Sequence, residues 1–154
     1  MARRYATQMS DPTDGQRREM EDPSMVGTQH AQIEMIWPLE KPILESLGIA
    51  RMERIADLGC GTAEFAGRVA EAWPHIPVHG IDLYAGHIDR ARETWTPERV
   101  PNLTLEVGDA GKLPWADARC DFVAMRHFLH ALPEPEVMIK EGRRILKPGG
   151  TMYI

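Results

Sequence analysis

The chain has 154 residues, 43% of them apolar and 27% charged, enough for one globular core and short for two. Its 18 Lys and Arg against 23 Asp and Glu leave a formal charge of −5, which argues against the broad basic surface that nucleic-acid phosphates require. No apolar run approaches the roughly 20 residues that span a bilayer. The two cysteines form no CxxC pair, so neither a disulfide scaffold nor a metal site is expected, and the chain reads as cytoplasmic.

Residues 1–24 are polar and broken by Pro12, Gly15 and Pro23, and they read as an arm. Residues 25–50 carry Ile33, Ile36, Trp37, Ile43, Leu44 and Leu47 near a helical period. Pro38 and Pro42 predict a split into two short helices, and Gly48 predicts their stop. Met20, Met25, Met35 and Trp37 fit an apolar lid and fit packing against a sheet equally well.

Residues 51–154 alternate short apolar runs with helical stretches. Strands are expected at 55–58, 78–83, 103–107 and 121–125, and a fifth after the turn Lys147-Pro148-Gly149-Gly150. Helices are expected at 63–73, with Phe65, Val69 and Trp73 on one face, from Tyr84 with Ile88, Ala91 and Trp95, and over 134–145. This alternation predicts right-handed crossovers and a parallel sheet with helices on both faces.

In such a sheet, ligands bind beyond the carboxyl ends of the strands, which here carry residues 57–63, Asp82, Asp109 and residues 126–130. Gly59 and Gly61 allow a tight turn into the following helix. A dinucleotide loop would have glycine where Glu64 stands, and Asp57 and Glu64 would repel a pyrophosphate. They suit a ligand with ammonium and sulfonium groups. Asp82, at the tip of the second strand, is placed to accept both hydroxyls of a ribose.

Five segments resemble the motifs of class I S-adenosylmethionine-dependent methyltransferases, in the family's order and spacing. They are IADLGCGTAEFAGRVAEAWP, GIDL, VGDAGKLPW, CDFVAMRHFLHAL and EGRRILKPGGTMYI. The resemblance implies a Rossmann-like doubly wound sheet in the order 3-2-1-4-5. It also implies S-adenosylmethionine as cofactor. Asp57, Gly59, Cys60 and Gly61 would surround the methionine moiety, with Arg126 lining that side. Asp82 would hold the ribose, Leu83 would pack on adenine, and Asp109 and Ala110 would reach the adenine edge. Cys60 would be a small filler of the loop.

Two features depart from the family pattern. Ala63 stands where many members have a third glycine, and the helix and antiparallel strand pair that follow the fifth strand are missing. The chain is therefore expected to be truncated there, with a fifth-strand edge open to homodimerisation. A methyltransferase acting on a small-molecule acceptor is expected, with His127 as candidate base if the acceptor is a hydroxyl or carbon acid. The alternative is a non-catalytic cofactor-binding module that works with a partner. A nicotinamide dehydrogenase is disfavoured by Glu64 and by the absence of a Tyr-x-x-x-Lys pair.

Overall fold

Five short segments rich in apolar residues pair side by side, all parallel, in the order β3-β2-β1-β4-β5. The computed structural model describes residues 23–126, 129 and 134–154. Its elements in chain order are α1 (Pro23–Ser46), a 3-10 turn (Ile49–Arg51), β1 (Ile55–Leu58), α2 (Glu64–Ala72) and β2 (Val78–Asp82). There follow α3 (Ala85–Thr94), β3 (Leu103–Val107), β4 (Cys120–Ala124), α4 (Pro135–Ile145) and β5 (Leu146–Tyr153).

Alternation along the central strands divides the core into two layers. Ile55, Val78, Phe122 and Ala124 face Phe65, Val69 and Ala70 of α2, together with Ile33 and Leu44 of α1. Ala56, Leu58, Ile81 and Val123 face Met138 and Ile145 of α4, with Leu113 and Trp115 from the connection after β3. Helices thus cover both faces, and the strand order reverses between β1 and β4. That reversal opens the crevice in which open α/β sheets hold ligands.

Two expectations fail here. α1 runs unbroken through Pro38 and Pro42. Each proline lacks an amide for the carbonyl four residues back, a loss that breaks helices standing alone. However, Ile33, Glu40 and Leu44 are all buried, and Trp37 meets Trp73 edge-on at 6.3 Å. Packing on both sides of the prolines therefore fixes one helix axis, overriding local propensity. The same contact answers the lid question for Trp37, which packs on the core, while Met35 is left 78% exposed. Met20 and the side chain of Met25 lie outside the described residues.

The second failure concerns Lys147-Pro148-Gly149-Gly150, which does not precede the fifth strand as a separate turn. β5 already pairs at Leu146, opposite Cys120, then shifts register so that Phe122 meets Thr151. Gly149, at φ 80°, absorbs the extra residues within the ladder. Among the described residues no helix is long and apolar enough to cross a membrane.

Candidate functional site

β1 is buried along its whole length, and its alternation turns Asp57 toward the face that α2 covers. A carboxylate so enclosed is disfavoured. Burial pushes the Asp57 pKa up to about 7, Arg126 and the Ala66 N–H pull it down, and Asp82 and Glu40 push it further up. Asp57 therefore holds its proton to higher pH than an exposed carboxyl does.

The loop that follows turns on three left-handed residues, Gly59 (φ 70°), Gly61 (φ 55°) and Ala63 (φ 58°). Ala63 is the residue that departs from the glycine pattern of the resemblance. An L residue holds this conformation at a cost of roughly 1–2 kcal/mol. Four of the loop's amides are spent internally. Gly59 and Cys60 donate to the Ile81 carbonyl, Ala63 to the Cys60 carbonyl, and Gly61 to Asp82 Oδ2 at 2.8 Å. These four N–H groups do not form the open nest that cradles a phosphate. Gly61 thereby ties the loop to β2.

Asp82, only 7% exposed, also accepts from the Tyr84 N–H through Oδ1 at 3.0 Å, and a His87 ring nitrogen lies 3.3 Å from the same oxygen. Oδ2, which takes only the Gly61 N–H, keeps a lone pair for a ligand hydroxyl. Leu83, next in sequence, is 40% exposed, an apolar side chain presented beside that acid. Beyond β3, Asp109 Oδ1 accepts from the Gly111 N–H at 2.7 Å and Ala110 is buried.

Cys60 fills the space beside Gly80, where a Cβ would come within 3.0 Å of its sulfur. Burial, then Asp57 and Asp82, raise its thiol pKa, so it is a filler and a poor nucleophile. Both cysteines are free thiols.

Arg126 follows β4, and its Nε lies 3.0 Å from Glu40 Oε1, with the two side chains 11% and 2% exposed. Its guanidinium also sits over the Phe65 ring, 5.1 Å from the centroid. Tyr153 donates its hydroxyl to the same Glu40 oxygen at 3.0 Å. Asp57, Ala124 and Tyr153 stand in one row across β1, β4 and β5. Glu40 and Tyr153 were not foreseen as site residues. The available signal was that Ile33, Trp37, Glu40 and Leu44 share one helical stripe, and a carboxylate in an apolar stripe asks for a partner. His127 and His130 lie outside the described residues. Among the described residues no group of three or more His, Cys, Asp or Glu is arranged to hold a metal.

A cavity of about 550 Å³ lies at the opposite end of the strands, lined by Arg54, Trp115, Arg119 and Lys147 among others. It lies away from the strand tips where the carboxylates gather.

A family model described as a methyltransferase domain matches residues 56–154. A 27-O-demethylrifamycin SV methyltransferase from Amycolatopsis mediterranei is 33% identical over 103 residues, covering 66% of this chain and 38% of that protein. A demethylmenaquinone methyltransferase from Staphylococcus aureus is 30% identical over 118 residues, covering 76% of this chain and 47% of the relative. The chain thus spans less than half the length of these relatives. Among solved structures, the cyclase SpnF superposes with a TM-score of 0.60 at 31% identity, covering 64% of this chain and 36% of that one. Matched from β1 to the last residue of β5, the protein belongs to the S-adenosylmethionine-dependent methyltransferase family.

Proposed function

We propose that the protein transfers the methyl group of S-adenosylmethionine to a small-molecule acceptor. The observation that carries this reading is a glycine loop with the amides of Gly59, Cys60, Gly61 and Ala63 already bonded, set among carboxylates at the carboxyl ends of β1, β2 and β3. Such a loop suits a cationic nucleoside and not a diphosphate.

Asp82 would hold the ribose through Oδ2, and Leu83, Asp109 and Ala110 would border the adenine. Asp57, Gly59, Cys60, Gly61 and Arg126 would surround the amino-acid end. When bound, S-adenosylmethionine supplies an electrophile already activated by its sulfonium, so the protein's task is orientation and exclusion of water. The buried acids serve both. They favour a positive ligand, and they hold the product, which has lost that charge, less firmly. His127 is proposed as the base for a hydroxyl or carbon acceptor. His127→Ala is expected to lower turnover with cofactor affinity unchanged, and unchanged turnover removes the role.

A second reading, a cofactor-binding module without methyl transfer, is favoured by the cyclase neighbour, since one fold hosts several chemistries. Calorimetric titration tests the shared premise: S-adenosylhomocysteine is expected to bind and NAD is not. Transfer of labelled methyl from S-adenosylmethionine to a panel of small acceptors then separates the two readings.

A further inference from the structure

Glu40 is the most enclosed charge among the described residues of α1, at 2% exposure, and its two oxygens are treated unequally. Oε1 lies within 3.0 Å of both Arg126 Nε and the Tyr153 hydroxyl. Oε2 is buried and has no hydrogen-bond partner among the described residues. Leaving one oxygen of a buried carboxylate unsatisfied is costly, and native proteins seldom tolerate it without a reason.

A ligand bound at the strand ends is one source of that donor. Arg126 follows β4 beside the tip of β1, so Glu40 is clamped at the strand ends that carry Asp57, and the two acids feel one another. Glu40, Asp57 and Asp82 set three carboxylates against the Arg126 guanidinium. A neutral donor would satisfy the orphan oxygen but leave the excess negative charge in place. A cationic N–H donor answers both demands.

We propose that Glu40 Oε2 accepts a hydrogen bond from the ammonium group at the amino-acid end of the cofactor, making α1 a determinant of selectivity for nucleosides that carry a free α-amino group. This rests on the methyltransferase reading above, and it assigns to the helix a recognition role that the glycine loop does not fill.

The test is calorimetric titration of S-adenosylhomocysteine and of its deaminated analogue into the wild-type chain, Glu40→Gln and Tyr153→Phe. The wild type is expected to prefer the amino-bearing ligand by about tenfold to hundredfold, the span of a charge-assisted hydrogen bond. Glu40→Gln is expected to erase that preference while leaving affinity for the deaminated analogue unchanged. Tyr153→Phe, which leaves Oε2 in place, is expected to keep it. A Glu40→Gln chain that still prefers the amino-bearing ligand, or that loses both ligands equally, overturns the proposal. Should Glu40→Gln fail to fold, a wild type that binds both ligands equally overturns it without any substitution. A wild type that binds neither ligand brings down the cofactor reading, and this proposal with it.

Discussion

At the amino ends of the strands, Asp121 accepts from the Glu53 and Arg54 amides at 3.0 and 2.9 Å and from Lys147 Nζ at 3.0 Å. At the carboxyl ends, Asp57 is enclosed among other acids. Burial pushes both carboxyls up, but at Asp121 the Lys147 and backbone bonds together outweigh it, so that pKa falls below the ordinary value while that of Asp57 rises to about 7. One residue type in one sheet is satisfied at one end and left short of positive charge at the other. The satisfied end is built for cohesion, and the unsatisfied end has the character of a binding site.

The largest effect expected from breaking this contrast is at Arg126. Arg126→Met leaves Glu40 and Asp57 buried without their countercharge and is expected to cost about 3–5 kcal/mol at pH 8, measured by urea denaturation. A cost below ~1 kcal/mol would mean that water reaches those acids.

Next comes the pH dependence of Asp57. Folding raises its pKa from an ordinary 3.8 to about 7, so the folded chain binds more protons than the unfolded one between those values. Stability is then lost as pH rises through that window, by about 3 kcal/mol between pH 4 and 7. Asp57→Asn is expected to flatten that part of the profile and to weaken S-adenosylmethionine binding. Parallel profiles for the two chains would count against the buried acid.

The smallest effect is expected at the opposite end. Lys147 pairs with Glu53 and Asp121, but the three side chains are 33%, 80% and 22% exposed. Lys147→Met is therefore expected to shift the urea midpoint little, and a shift as large as that of Arg126→Met would break the contrast. Asp121 reverses the sign seen at Asp57: its contribution is present above the ordinary carboxylate range and is lost as pH falls through its lowered pKa. Asp121→Asn is expected to lower the neutral-to-alkaline level of the stability profile and to flatten its acid branch.

What could be read from residues alone divides along the same physical line. β1, β3 and the glycine loop were legible because each depends on neighbours in sequence: apolar runs, alternation, and glycines where φ turns positive. Asp82 was legible as the acid at a strand tip, but its bonds to the Gly61 and Tyr84 amides were not, because they depend on how the loop folds back. α1 was misread because Pro38 and Pro42 are strong local signals, and only the packing of Ile33, Trp37 and Leu44 outvotes them. Glu40 escaped for the same reason. Its partners Arg126 and Tyr153 lie far along the chain, and only the completed sheet brings the three together.

The two prolines of α1 also bracket Glu40. Neither has an amide to donate to the carbonyl one turn earlier, so the helix is thinly tied where it carries the acid that reaches Arg126. Bending at that point breaks fewer backbone bonds than bending elsewhere along the rod. The stretch between Pro38 and Pro42 is thus held in place by the burial of Glu40 and Leu44 and by the Arg126 pair more than by its own backbone bonds.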